Sequence, residues 1–258
     1  MKLDIVIIQL DIDWEDFDAN QRKVESLIND CEEGVDLVLL PEMFLSGFSM
    51  DVNRIAVKED GDEVRWLKKC ARKKGVAIMG SLAVKTGDEV YNSALFVNPL
   101  GEVFTYNKRH LFRMGGESKR FSKGDKRVVI EYKGVKILPL ICYDLRFPVW
   151  SRNQNDYDVI IYMANWPRSR HEVWDVLLRA RAIENQSYVI GVNRIGTGGG
   201  IFYSGGSKLI DFKGDVCLDM DESMMISEKI SIDINKKNSF KDEFPVYLDS
   251  DLFNIIES

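Results

Sequence analysis

Short apolar runs alternate along this chain with stretches whose apolar residues recur at helical spacing. Leu3–Leu10, rich in Ile and Val, predicts a first buried strand. Val24, Leu27, Ile28 and Cys31 then share one helical face, with Asp18 placed to cap the helix and Gly34 to end it. Val35–Leu40 reads as a second apolar strand running into Pro41–Glu42. Glu63–Lys74 reads as an amphipathic helix stopped by Gly75, and Val76–Val84 as another strand. The middle changes character. Val90–Val97 and Glu102–Tyr106 flank a Pro99-Leu100-Gly101 turn, and Val128–Tyr132 and Val135–Ile141 flank Lys133-Gly134, so both segments predict β-hairpins. Val159–Ala164 and Tyr188–Asn193 are strands around a long helix over His171–Gln186, and Ser204–Asp211 and Met224–Ile234 supply late strands. This mixture predicts an α/β fold, either on one mixed sheet or on two sheets packed face to face with helices outside. No repeat, low-complexity tract or linker-like shift divides residues 1–258, which predicts a single domain.

Composition narrows the function. At 258 residues and 45% hydrophobic, the chain buries a sizeable core without disulfide or metal staples. Its 41 acidic and 35 basic residues are interspersed and leave a net charge of −6, unlike the concentrated basic face of a nucleic-acid binder. The start, MKLDIVIIQLDID, meets acidic residues too soon for a secretory signal, and no run approaches the roughly 18 apolar residues of a membrane helix. Cys31, Cys70, Cys142 and Cys217 lie far apart with no CxxC pair. The expectation is a reducing, cytoplasmic home and neither a zinc site nor a disulfide framework.

Three reactive residues fall at predicted strand ends. Cys142 closes Val135–Ile141 and precedes Tyr143-Asp144, where strand gives way to turn; ligand sites of α/β proteins gather at such carboxyl ends. A sharp turn there aims a backbone N–H, that of Tyr143, at the same point as the sulfur. A thiol nucleophile needs a base, because few thiols ionise at neutral pH. His110 and His171 are the two histidines, and neither carries a signature. Glu42, at the end of an apolar strand, is partly desolvated and better suited as base. Lys108 follows Glu102–Tyr106 and offers a cation for an oxyanion. Each has an ordinary reading by itself: a core cysteine, a loop glutamate, a solvated lysine.

Together they point further. Leu40-Pro41-Glu42-Met43-Phe44, Tyr106-Asn107-Lys108-Arg109-His110-Leu111-Phe112 and Ile141-Cys142-Tyr143-Asp144-Leu145-Arg146-Phe147-Pro148 resemble the three motif blocks of the nitrilase superfamily of carbon–nitrogen hydrolases. Ala164-Asn165-Trp166-Pro167, Arg179–Gln186 and Tyr203-Ser204-Gly205-Gly206-Ser207 extend the resemblance over nearly the whole chain. It implies a four-layer α–β–β–α sandwich of two mixed sheets, a Glu42–Lys108–Cys142 triad and no metal or organic cofactor. It further implies a supporting glutamate, which Glu117 matches better than Glu131.

The chain is also similar to the omega-amidase branch, which hydrolyses the terminal amide of 2-oxo dicarboxylic acid monoamides. The resemblance thus implies that Cys142 forms a thioester, with Lys108 and the Tyr143 N–H holding the oxyanion. A carboxylate-bearing substrate needs a cation: Arg113, Arg146, Arg152, Arg168 and Arg170 are candidates, with Phe147, Trp166, Tyr203 and Phe48 as apolar walls. An N-carbamoyl amide or a nitrile on the same triad is the alternative chemistry, and a non-catalytic binding protein of this fold the alternative class. The family also implies a homodimer or larger assembly, with Gly198-Gly199-Gly200 and the segment after Lys236 as connecting or edge-covering pieces.

Overall fold

The structure is a computed structural model that describes residues 1–220, 225–251 and 253–255. Its first part runs β1 (Lys2–Gln9), α1 (Phe17–Asp30), β2 (Leu37–Leu39), α2 (Val52–Ile55), β3 (Val57–Lys58), α3 (Asp62–Lys74), β4 (Ala77–Thr86), β5 (Glu89–Val97) and β6 (Val103–Asn107). The middle adds β7 (Ile130–Tyr132), β8 (Val135–Ile141), α4 (Pro148–Ser151), β9 (Val159–Ala164), α5 (His171–Asn185) and β10 (Tyr188–Asn193). The last part holds β11 (Ile195–Gly198), β12 (Ile201–Ser204), β13 (Lys208–Ile210), β14 (Val216–Asp219), β15 (Ile226–Asp233) and α6 (Ile234–Glu243).

Two mixed sheets result. One has the order β15-β1-β2-β4-β5-β6 with β3 beside β4, and the other β14-β13-β10-β9-β8-β7. Each is built around three parallel strands, β1-β2-β4 and β8-β9-β10, extended by antiparallel neighbours.

Alternation along β1 shows why its sequence is apolar throughout. Leu3, Ile5 and Ile7 join a core that also contains Ile137, Leu140, Ile161 and Met163 of the second sheet. Val6 and Ile8 point the other way, to Val24 and Ile28 of α1 and Val64 and Leu67 of α3. A strand covered on both faces shows no polar period. On the far side, Trp174, Leu178 and Ala182 of α5 pack on the second sheet. The layers are therefore helix, sheet, sheet, helix, as the resemblance implies.

Local details differ from the sequence reading. Asp16, not Asp18, caps α1: its carboxylate accepts from the Ala19 N–H at 3.0 Å. Asp18 instead lies in the first turn, where an acidic residue suits the helix dipole. Gly198–Gly200 is the tip of the β11–β12 hairpin, not a plain connection, and Ser204 ends β12 while β13 begins only at Lys208. Of the late strand predicted from Met224, residue 224 lies outside the described residues, and β15 runs Ile226–Asp233. Among the described residues no helix is long and apolar enough to cross a membrane.

Candidate active site

Glu42 follows β2, Lys108 follows β6, Cys142 follows β8 and Asn165 follows β9, so strand ends of both sheets converge on one point. Two of these turns use left-handed backbone at residues that are not glycine: φ is 47° at Met43 and 42° at Cys142. Such conformations cost roughly 1–3 kcal/mol each and persist where surrounding contacts fix them. Around Cys142 the fixing group is Asp144, which is fully buried. Its carboxylate accepts from the Ile141 N–H at 3.0 Å, the Tyr106 hydroxyl at 2.8 Å and the His110 N–H at 3.0 Å. The turn that raises the sulfur is thereby tied to the segment that carries Lys108.

Lys108, Glu42 and Glu117 have fully buried side chains. Lys108 Nζ lies 2.9 Å from Glu42 Oε1 and 3.0 Å from each oxygen of Glu117. Asn92 bridges the carboxylates, donating to Glu42 Oε1 at 2.8 Å and Glu117 Oε1 at 3.1 Å, while its own Oδ1 accepts from Ser81 Oγ at 2.9 Å. The second oxygen of Glu42 accepts from the Asn165 N–H at 2.8 Å, and Asn165 Nδ2 donates to the Glu42 carbonyl at 2.6 Å. Glu117 Oε2 accepts from the Phe112 N–H at 2.6 Å.

This setting decides protonation. Burial by itself would push the Lys108 ammonium down, but the Glu117 and Glu42 carboxylates and the Cys142 sulfur hold it above its ordinary value. Burial raises the Cys142 thiol well above the usual cysteine range; Glu42 and Glu117 add to that and Lys108 opposes it. The resting sulfur is therefore a thiol that needs a base to attack. Burial likewise raises the Glu117 carboxyl, against the pull of Lys108 and with Glu42 adding.

The cluster underlies a cavity of about 620 Å³, a volume in the small-molecule range, and reaches it through Glu42, Cys142 and Asn165. Glu42, Cys142, Tyr143 and Asn165 line it below; Trp166, Tyr203 and the hairpin residues Gly198 and Gly199 form part of its wall. Arg146 and Arg170 also line it, held over the rings of Trp166 and Phe112 at 5.4 and 5.2 Å. Arg113 and Phe147 do not. Arg113 is exposed beside the turn at Gly116, and Phe147 is stacked on His110 at 3.8 Å, its face already occupied. Arg152 and Arg168 lie outside the lining, while Phe48 is part of it, its ring centroid 5.2 Å from Lys108 Nζ. Neither His110 nor His171 lines the cavity, and Glu131 is exposed on β7. Asn92 escaped sequence reasoning; the polar pair Asn92-Ser93 interrupting the apolar run of β5 was the available signal.

A carbon–nitrogen hydrolase model matches residues 5–232, so the chain belongs to the carbon–nitrogen hydrolase family and is a hydrolase of that superfamily. It is 41% identical to the omega-amidase YafV of Escherichia coli (strain K12) over 98% of both chains. It is 34% identical to the 2-oxoglutaramate amidase of Bacillus subtilis (strain 168), over 96% of this chain and 98% of that one. XC1258 from Xanthomonas campestris, a solved CN-hydrolase superfamily protein with an arsenic adduct in its active site, superposes with a TM-score of 0.96 at 38% identity, covering 99% of each chain.

Proposed function

We propose that the protein hydrolyses the terminal amide of a short carboxylic acid monoamide, of the 2-oxoglutaramate or 2-oxosuccinamate type, to the acid and ammonia. The observation that carries this reading is a cavity floored by the Cys142 thiol and by a Glu42 carboxylate paired to the buried Lys108 ammonium, and whose other charged lining residues are Arg146 and Arg170. Neither arginine has a carboxylate partner among the described residues, so a substrate carboxylate can take that place. The names of the relatives agree with such a substrate.

In this mechanism Glu42 accepts the thiol proton as Cys142 Sγ attacks the amide carbonyl. Lys108 Nζ contacts both oxygens of Glu117 and one of Glu42, and in this reading a single N–H shared between the Glu117 oxygens leaves another for the oxyanion. The Tyr143 N–H, at the start of its turn, has no partner within that turn and is the second donor. Each such donor is worth about 3 kcal/mol of barrier. Glu42 returns its proton to the departing ammonia, leaving a thioester, and then takes a proton from the water that hydrolyses it. Glu117 and Asn92 hold Lys108 and Glu42 in register.

Residues 1–258 act as one hydrolase unit in this reading, within a homodimer or larger assembly. The four cysteines are unpaired, which fits a cytoplasmic setting. Ammonia release from 2-oxoglutaramate, with Cys142→Ala as control, tests the function. Release that vanishes in the variant is expected, with the fold retained. Comparable release by the variant refutes the mechanism, and activity confined to N-carbamoyl compounds or nitriles refutes the substrate.

A further inference from the structure

Arg194 carries a buried charge for which the reaction above has no task. It follows β10 and is completely removed from solvent. Its Nε donates to the Ile195 carbonyl at 2.9 Å and its Nη2 to the Ile12 carbonyl at 2.8 Å. The Asp11 carboxylate is 3.8 Å from Nη2, too long for a hydrogen bond, and is itself half exposed. Nη1 is buried with no hydrogen-bond partner. Neutral donors could hold two carbonyls at far lower desolvation cost, so a guanidinium kept here calls for a role for its charge.

The position of Nη1 indicates that role. A Cβ on Gly198 would stand 2.7 Å from it and one on Gly47 3.3 Å from it. Gly198 lines the cavity, as does Tyr203, whose ring centroid is 4.7 Å from Arg194 Cζ. The Gly198 backbone, the Tyr203 phenol and the Trp14 indole, which lines the cavity and abuts Gly47 and Gly198, therefore separate the guanidinium from the substrate space. A Cβ on Gly199 would meet Trp14 at 2.9 Å, so the hairpin tip is kept thin by glycine at two successive positions. Through such a low-dielectric wall a charge acts more strongly than through water. The floor sets two carboxylates, Glu42 and Glu117, against one ammonium, which repels an entering anion unless nearby cations offset it.

We infer that Arg194 is a specificity-determining residue: held behind the Gly198–Tyr203 wall, its charge favours amides whose remote end is anionic. The inference rests on the reading of the site as an amidase for carboxylate-bearing amides. The test compares kcat/KM for glutaramate and for pentanamide, which replaces the carboxylate by a methyl group, in the full chain. Arg194→Gln keeps donors for the two carbonyls and removes the charge. Its glutaramate-to-pentanamide ratio should fall at least about fivefold, chiefly through KM for glutaramate. Asp11→Asn, at the surface, removes the partial counter-charge and should raise the ratio about twofold.

Equal losses on both substrates in Arg194→Gln would make Arg194 a structural anchor only and overturn the inference. If that variant does not fold, an unchanged ratio in Asp11→Asn overturns it and a raised ratio supports it. A wild type that does not favour glutaramate overturns the substrate reading and this inference with it. A wild-type preference that survives Arg194→Gln overturns this inference alone.

Discussion

On the floor of the cavity Lys108 Nζ meets two carboxylates within 3.0 Å, whereas on its wall Arg146 and Arg170 meet none among the described residues. The floor is assembled before substrate arrives: charges are paired, Asn92 links both glutamates, and Ser81 holds Asn92. The wall is left open, its arginines resting on aromatic faces that yield to a better partner. Chemistry needs groups already in place, because reorganisation would be charged to the barrier. Recognition gains from groups whose strongest bond is still to be made. Substitutions in the charged network of the floor should therefore damage both fold and rate, and substitutions on the wall mainly affinity.

The largest separation is expected for Lys108→Met. Removing the ammonium leaves two buried carboxylates facing each other, a break that typically costs about 3–5 kcal/mol of stability. It also removes an oxyanion donor, worth roughly 100- to 1000-fold in kcat. Chemical denaturation and turnover measured on the same sample should both register the change. A variant as stable as wild type would mean that the floor is not held by this cation.

Asn92→Ala comes next. It strips a donor from Glu42 and another from Glu117 and leaves the Ser81 O–H without its acceptor, at about 1–3 kcal/mol for buried groups left unbonded. We expect a kcat loss of roughly tenfold, since about 1.4 kcal/mol of misplacement at the base suffices. On the wall, Arg170→Gln should leave thermal stability nearly unchanged and raise KM for a carboxylate-bearing amide about tenfold, the worth of one charged hydrogen bond. Arg146→Gln is the parallel measurement, and the larger KM effect identifies the arginine that binds the carboxylate. A kcat effect without a KM effect in both would place the carboxylate elsewhere.

The floor was legible in the sequence except for Asn92, and in the wall Phe48, Arg146, Trp166, Arg170 and Tyr203 were legible while Trp14 and the hairpin glycines were not. Glu42, Lys108 and Cys142 each end a strand, and strand ends of an α/β fold converge, so residues far apart in the chain could be brought together by pattern and motif. Asn92 was hidden because the adjacent polar pair Asn92-Ser93 in β5 points to opposite faces, and the sequence does not reveal which of the two meets the site. Arg113 and Phe147 were misplaced for a different reason. The turn at Gly116, φ 81°, and the bond from the Phe112 N–H to Glu117 set where Arg113 goes, and His110 takes the face of Phe147. The glycines of the β11–β12 tip read as a connecting or edge-covering piece, since their purpose depends on Trp14 and Arg194 behind them.

The smallest predicted effect tests whether the floor is truly short of positive charge. Burial raises the Glu117 carboxyl, Lys108 opposes that, and Glu42 adds to it, so the native state keeps this proton to a higher pH than the unfolded chain does. As pH rises past the ordinary carboxyl value of about 4.3, the unfolded chain ionises first and the wild type loses stability, at most about 1.4 kcal/mol per pH unit. The loss stops once native Glu117 ionises too. Glu117→Gln has no such proton and keeps an oxygen that can accept from Lys108, so any fixed cost of the amide is independent of pH. The stability of wild type minus that of Glu117→Gln, from urea denaturation between pH 4.5 and 7, should therefore fall with rising pH and then level. A difference that rises instead would mean that Lys108 outweighs burial at Glu117, and that the floor holds its second carboxylate without strain.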